Sequence, residues 1–327
     1  MPNVTAPKNS VPKVSVIVPV YNTELYVERA MVSLMEQTLD DVQFIIIDDG
    51  SKDNSLNIIK QVIARYPARE GQVTLISREN RGVATTRAQG MELATGDYVI
   101  HLDSDDWAEL NWLEAMYTKA IEENADMVVC DFSLIYHHSS KVIHQKVFNK
   151  GVDCVRSMIL NGICNANWNK LIRLDFIRHN DIAFKTNLNM GEDFVFSLKT
   201  LFKADKVSHI SENLYNYNQE NETALTKKYT KKDLCDIKQT VSLTESYFKD
   251  NGVYDDFHYY VLHLKLNVKS ISVLNAINIE DVVFSLNLYP ETSIALFFSS
   301  RHWRLKIFTV LYFLKLKFLL RFLNSNI

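Results

Sequence analysis

The sequence predicts an α/β protein built on a mostly parallel sheet flanked by helices, with a helical C-terminal extension, and three observations predict it. Short apolar runs alternate with helix-length amphipathic segments over about 130 residues. The runs are apolar on both faces rather than on one, as in strands buried on both sides. Several of them end in polar or acidic turns, at the edge where ligands bind in such sheets.

Taken in order, Val14 to Val18 is a short buried-strand pattern, stopped by Pro19-Val-Tyr-Asn22. Thr23 is a suitable N-cap for an amphipathic helix to about Gln37, with Leu25, Ala30, Val32 and Leu34 on its apolar positions. Phe44 to Ile47 reads as strand two and runs into Asp48-Asp-Gly-Ser51; a helix follows from near Asp53 to Arg65. Val73 to Ile76 is strand three, and Gly82 to Ala94 a helix that ends by Gly96. Tyr98 to Leu102 is the fourth and central strand, leading into Asp103, Ser104, Asp105 and Asp106. Asn111 can cap a helix to Glu123, and Met127 to Phe132 forms a fifth strand.

From about Gly151 the pattern changes. A segment ending Trp168-Asn-Lys-Leu-Ile172 and a polar stretch from Asn180 to Met190 precede Gly191-Glu-Asp193, where two adjacent acids sit at the start of a helical run to Ala204. Residues 227–279 read as helical and carry no motif with attachable chemistry. After Glu291 there is no acidic residue, while Arg301, Arg304, Lys306, Lys315, Lys317 and Arg321 punctuate a segment dense in Trp, Phe, Leu and Ile. Its uncharged run, Ile307 to Leu314, falls short of the ~20 residues that span a bilayer. Such a segment suits a helix lying among anionic lipid headgroups, or a terminal helix packed on the body of the protein or on a partner subunit. The expected divisions are a flexible lead over 1–12, a first half over 13–132, a second over 133–230 and a helical region over 231–327.

At 327 residues the chain can bury a large core. A formal net charge of -3 argues against nucleic acid as a partner. Cys130, Cys154, Cys164 and Cys235 show no zinc spacing and read as reduced thiols of a cytoplasmic protein; no apolar signal core precedes Pro12. Neither the G-x-G-x-x-G fingerprint nor a P-loop is present. In a parallel sheet the turns after strands one, two and four place Tyr21, Asn22, Asp48, Asp49, Asp103, Asp105 and Asp106 on one rim. Acids packed this densely call for a hard divalent cation bridging to phosphate, or else form a solvated acidic turn.

The series Val14 to Asn22, Ile45 to Ser51 with Asp53, Asn80-Arg-Gly82, Gly96 to Asp106 and Gly191-Glu-Asp193 closely resembles the inverting family-two glycosyltransferases of the GT-A (Rossmann-like) fold, over roughly residues 12 to 230. The resemblance implies a nucleobase site at Tyr21 and Asp49 shaped by Pro19, with Asn22, Asn80, Arg87, Asp103 and Ser104 also on the nucleotide. It implies Asp105, with Asp103, on Mn2+ or Mg2+, Asp193 as catalytic base and Glu192 positioning the acceptor. Trp168, Asn169 and Lys170 match a segment placed near acceptor or diphosphate. Two positions depart from the pattern: Ala88 stands where relatives carry Asn, and Asn218 where an Arg often follows Tyr-x-Tyr.

The activity implied is an inverting transfer from a nucleotide-sugar, UDP-linked by expectation, to a saccharide or polyprenyl-linked saccharide in cell-surface polysaccharide synthesis. The tail would hold the enzyme at the inner face of the membrane. A non-catalytic nucleotide- or carbohydrate-binding module and a nucleotidyltransferase are the alternatives; a phosphoaspartate receiver would leave Asp103, Asp105 and Asp193 without a task.

Overall fold

The expected runs form strands, the first, second and fourth largely buried and the third, at the sheet edge, only half-buried. In a computed structural model that describes residues 11–222, 224, 229–276, 279–293, 306, 307 and 310, β1 (Val14–Val20) buries every side chain but that of Pro19. β2 (Val42–Asp48), β3 (Val73–Ser77) and β4 (Tyr98–His101) join it in parallel, in the order β3-β2-β1-β4. Between them run α1 (Val27–Met35), α2 (Ser55–Arg65) and α3 (Val83–Leu93), and α4 (Trp112–Glu122) follows β4. One core cluster contains Val16, Met31, Phe44, Ile100, Trp112 and Val128.

Thr23 does not cap α1. Its hydroxyl donates to Ser104 Oγ at 3.1 Å, while its carbonyl accepts from the Tyr26 and Val27 amides at 2.9 and 2.8 Å, so a turn intervenes and the helix starts at Val27. The long-range partner outcompetes the local one. Asn111 precedes α4 as expected but makes no side-chain capping bond.

Beyond β4 the sheet is mixed rather than parallel. β5 (Trp107–Ala108), β6 (Met127–Tyr136), β7 (Ser139–Ile143), β8 (Lys170–Arg173) and β9 (Val207–Asn218) continue the order as β4-β8-β6-β9-β5, with β7 on β6. β8 is antiparallel to both β4 and β6, so it separates the expected fifth strand from the central one. Its four residues, with a cation at each end, give too short an apolar signal to read as a strand. α5 (Gly151–Ile159), α6 (Leu174–His179) and α7 (Glu192–Lys203) complete this part of the chain.

The chain divides into two compact units after Glu222. In the second, α8 (Lys231–Asp250), α9 (Tyr254–Leu274) and α10 (Ile279–Asn287) account for the helical reading. α8 opens on a capping box in which Thr230 Oγ1 accepts from the Asp233 amide at 3.2 Å and Asp233 Oδ2 accepts from the Thr230 amide at 2.7 Å. Phe248 and Phe257 stack at 4.2 Å where α8 turns into α9. The basic, apolar tail lies outside the described residues except for Lys306, Ile307 and Val310. Among the described residues no helix is long and apolar enough to cross a membrane.

α7 is held against α5 by backbone approach. The Gly151 amide donates to the Ala204 carbonyl at 3.2 Å, and a Cβ at Gly151 would lie 1.9 Å from the Leu201 carbonyl oxygen and 2.7 Å from that of Ala204. Both obstacles are main chain. Gly151→Ala is therefore expected to destabilise the protein by about 1–3 kcal/mol, the cost of overpacking, read as a lower midpoint in thermal or chemical denaturation.

Candidate functional site

The strand order creates the site. From β1 the chain winds outward through β2 and β3, then returns to place β4 on the other side of β1, and a crevice opens where the order reverses. The Leu102 amide donates to the Ile17 carbonyl at 3.0 Å, which sets the turn after β4 beside the turn after β1. Asn22, in the left-handed region at φ 51°, accepts from the Lys52 amide at 2.7 Å, and its own amide donates to Ser51 Oγ at 3.0 Å. Glu24 and Asp53 exchange bonds between the same two turns: Asp53 accepts from the Glu24 amide and Glu24 from the Asn54 amide. Tyr21 projects from this stitched wall, 48% exposed. Asp49 is buried and accepts from the Arg81 and Gly82 amides at 2.8 and 2.9 Å and from the Arg78 guanidinium.

The acids after β4 divide between interior and crevice. Asp106 turns inward, accepting from the Tyr215 hydroxyl at 2.8 Å and the Asn218 amide at 2.8 Å; burial, then the charges of Asp105 and Asp103, push its carboxyl well up. Ser104 is buried against Thr23. Asp105 accepts from the Asn221 side-chain amide at 2.7 Å, and burial followed by the charge of Asp103 raises its pKa. Asp103 reaches across the crevice to Arg87.

Arg87 joins the two halves of the site. From α3 its Nη2 donates to Asp103 Oδ1 at 2.8 Å, and its Nη1 donates to Glu192 Oε1 at 2.5 Å and to Asp193 Oδ1 at 2.7 Å. Gly191, in the left-handed region at φ 90°, starts α7 so that both acids fall in its first turn. Burial raises the pKa of Glu192 and of Asp193; the charges of Asp193 and Asp103 add to this, and the guanidinium opposes it. Arg87 keeps its proton firmly, its three acids outweighing the cost of burial.

Asp193 has a second donor from the loop before β8. Asn167 Nδ2 donates to Asp193 Oδ1 at 2.6 Å. Lys170 is fully buried, its ammonium donating to the carbonyls of Cys164 at 2.6 Å and Ala166 at 2.5 Å and to Asn169 Oδ1 at 2.9 Å, and burial lowers its pKa to about 8. Trp168 is stacked on Tyr215 at 4.3 Å and meets Phe132 edge-on at 4.7 Å.

The structure thus brings Pro19, Tyr21, Asn22, Asp49, Asp103, Ser104 and Asp105 to one rim, with Asn80 in the turn that packs against Gly50 beside Asp49. Arg87, expected on the nucleotide, has both terminal nitrogens on carboxylates. Trp168 and Lys170 were expected near acceptor or diphosphate; both side chains are buried and engaged by the protein, and they shape the loop behind Asp193. Glu192, expected to position the acceptor, is likewise buried against Arg87. Asn167, Arg78, Tyr215 and Asn221 escaped the sequence reading. Each acts through a partner 26 to 116 residues away, a separation at which no local pattern is visible.

Residues 15–180 match Glycosyl transferase family 2. The chain is 31% identical over 228 residues to the putative glycosyltransferase EpsH of Bacillus subtilis, a match over 68% of this chain and 64% of EpsH, so the chain spans just under two thirds of that relative. In fold it is similar to S. aureus TarS 1–349 in complex with UDP-GlcNAc, with a TM-score of 0.61, 17% identity and coverage of 84% and 86% of the two chains. It is also similar to the mannosyltransferase PcManGT of Pyrobaculum calidifontis in complex with GDP-Man and Mn2+, with a TM-score of 0.53, 14% identity and coverage of 88% and 76%.

Removing the shared cation strands buried acids. Arg87→Ala is expected to cost about 3–5 kcal/mol of stability at neutral pH, the usual penalty for breaking a buried ion pair from one side. The deficit measured by chemical denaturation should narrow as pH falls, because the stranded carboxyls then take up protons.

Proposed function

The chain belongs to glycosyl transferase family 2, and we propose that it moves a sugar from a nucleotide-sugar, a UDP-sugar by preference, to a hydroxyl of a saccharide acceptor with inversion at the anomeric carbon. The observation that carries this reading is Asp193. Arg87 and Asn167 both bond its Oδ1, so that Oδ2, which makes no hydrogen bond among the described residues, is left to accept a proton, one guanidinium away from the acids of the donor rim.

Donor binding follows from the rim. Tyr21 offers an exposed aromatic face to a base, and Asp49, though it already accepts three bonds, keeps an acceptor position on Oδ2 for a ring N–H. TarS and PcManGT, similar in fold, were each seen with a nucleotide-sugar, which supports the class of donor. The outward acids also fit a metal: Asp103 and Asp105 present hard carboxylate oxygens of the kind Mg2+ and Mn2+ take together with substrate phosphate, while Asp106 is spent on Tyr215 and Asn218. When bound there, the ion would neutralise charge on the departing diphosphate.

The chemistry of the chain's own residues is then direct. A sugar hydroxyl is too weak an acid to ionise near neutrality, so Asp193 Oδ2 takes its proton as the oxygen attacks the anomeric carbon. The bond from that carbon to phosphate oxygen breaks, its electron pair leaves with the nucleoside diphosphate, and a single displacement inverts the configuration. Arg87, itself anchored by Glu192, holds the base in place. The acceptor is a saccharide of cell-surface polysaccharide synthesis, carried on lipid if the basic tail binds membrane.

UDP release from a panel of UDP-sugars with Mn2+, Mg2+ or EDTA tests the reading. Metal-dependent release from one donor should be lost in Asp105→Ala and fall ~10²- to 10⁴-fold in Asp193→Asn. Because the carboxylate form is the active one and its pKa is raised, the rate should decline on the acid side beginning above the ordinary Asp value of ~3.9. No release from any donor, with UDP binding also absent, would leave another nucleotide or a non-catalytic module. For the tail, truncation before Ser299 is expected to abolish co-sedimentation with anionic liposomes; undiminished co-sedimentation would remove the membrane from the proposal.

A further inference from the structure

Asn167 is fully buried on a short loop and itself makes or breaks no bond in the proposed chemistry. Its surroundings fix its orientation. Asp193 Oδ1 lies 2.6 Å from Asn167 Nδ2; an amide turned the other way would set a carbonyl oxygen against a carboxylate at that distance, so the NH2 must face the acid. The other end of the amide, Oδ1, meets Ser197 Oγ at 3.1 Å, whose single proton lies between it and the Asn165 carbonyl at 2.9 Å. Ser197 is one helical turn beyond Asp193 on α7, so the same face of α7 presents the acid and the hydroxyl that steadies its neighbour. The loop itself is anchored: the Lys170 ammonium holds the carbonyls of Cys164 and Ala166, and the Lys170 amide donates to the carbonyl of Asn167 at 3.2 Å.

We infer that Asn167 is a positioning residue for Asp193, fixing its rotamer through Oδ1 so that Oδ2 alone is presented to the acceptor hydroxyl, with Ser197 orienting the amide. Arg87 approaches Oδ1 from α3 and Asn167 from the loop before β8, so the carboxylate is gripped from two elements. One donor alone would leave the carboxyl group free to swing about that bond. The inference rests on the reading of Asp193 as base.

The consequence for titration is signed. An amide donating to the carboxylate favours its charged form, as do the guanidinium of Arg87 and the ammonium of Lys170. Burial, Glu192 on α7 and Asp103 after β4 oppose it, and the half-buried Cys164 faces the same region from the loop. Loss of the amide moves the balance toward the protonated acid, so the acid side of the rate profile shifts to higher pH.

The test compares wild type, Asn167→Ala, Ser197→Ala and Asp193→Asn, using UDP release from the UDP-sugar that the panel selects. Asn167→Ala should lower kcat about 10- to 100-fold, less than a base itself contributes at the upper end, with donor KM within about twofold, and should move the acid limb upward. Ser197→Ala should move the limb in the same direction by less, and the two changes together should be non-additive. An unmoved limb in Asn167→Ala, whether or not kcat falls, overturns the inference, since packing alone would account for the rest. Should Asn167→Ala fail to fold, Ser197→Ala decides by the same limb. Retained turnover in Asp193→Asn would instead overturn the base assignment, and an inactive Asp193→Asn with an unmoved Asn167→Ala would overturn the role of Asn167 alone.

Discussion

One guanidinium holds the site together. Arg87 meets Asp103, 16 residues ahead of it, and Glu192 and Asp193, more than 100 residues ahead, in a setting where each of these side chains is largely withdrawn from water. Burying ions carries a desolvation penalty that only close geometry and further hydrogen bonds offset. The geometry here is close, and Asn167 and the first turn of α7 supply the additional bonds. One cation among three acids still leaves the pocket short of positive charge, and that deficit favours whatever brings it: a proton, or a hard metal ion at the outer acids. Burial first, and this imbalance after it, raises the pKa values of Glu192 and Asp193.

The sheet order makes this meeting possible. Parallel strands β1 to β4 deliver the rim that carries Tyr21, Asp49, Asp103 and Asp105, but Asp193 comes from α7, well beyond the alternating part of the chain. It is brought back by β8, which inserts antiparallel between β4 and β6 and carries with it the loop containing Asn167. α5 then fixes the far end of α7 through main-chain contact at Gly151. The α7 side of the site is thus tied to the β1–β4 rim by one short strand and one glycine.

How much of this was legible depends on distance along the chain. β1, β2 and β4 could be read because burial on both faces leaves a mostly apolar run, and the acids at their ends could be read because such sheets bind ligands there. Asp193 and Glu192 could be found as an acidic pair opening a helix. What escaped was whatever is decided by a remote partner. The hydroxyl of Thr23 has Ser104 and does not cap; β8 is four residues long with charged ends; and Arg87, assigned by pattern to the nucleotide, is claimed by acids that no window of sequence could place beside it. Trp168 and Lys170 were singled out as residues, yet their burial, which turns them into supports for the loop, is a property of the packed sheet.

The four cysteines differ in a way that has a practical use. Cys130 and Cys154 are buried, and burial pushes their thiols up to about 12 and about 11; Cys164 is half-buried and raised for the same reason. Cys235, on α8 in the second unit, is exposed. Because the thiolate is the reacting species, a maleimide dye or spin label added near neutral pH will attach at Cys235 ahead of the others. The native chain therefore carries its own attachment point for a reporter, on the unit that does not contain Arg87 and its acids, with no cysteine to be engineered in or out.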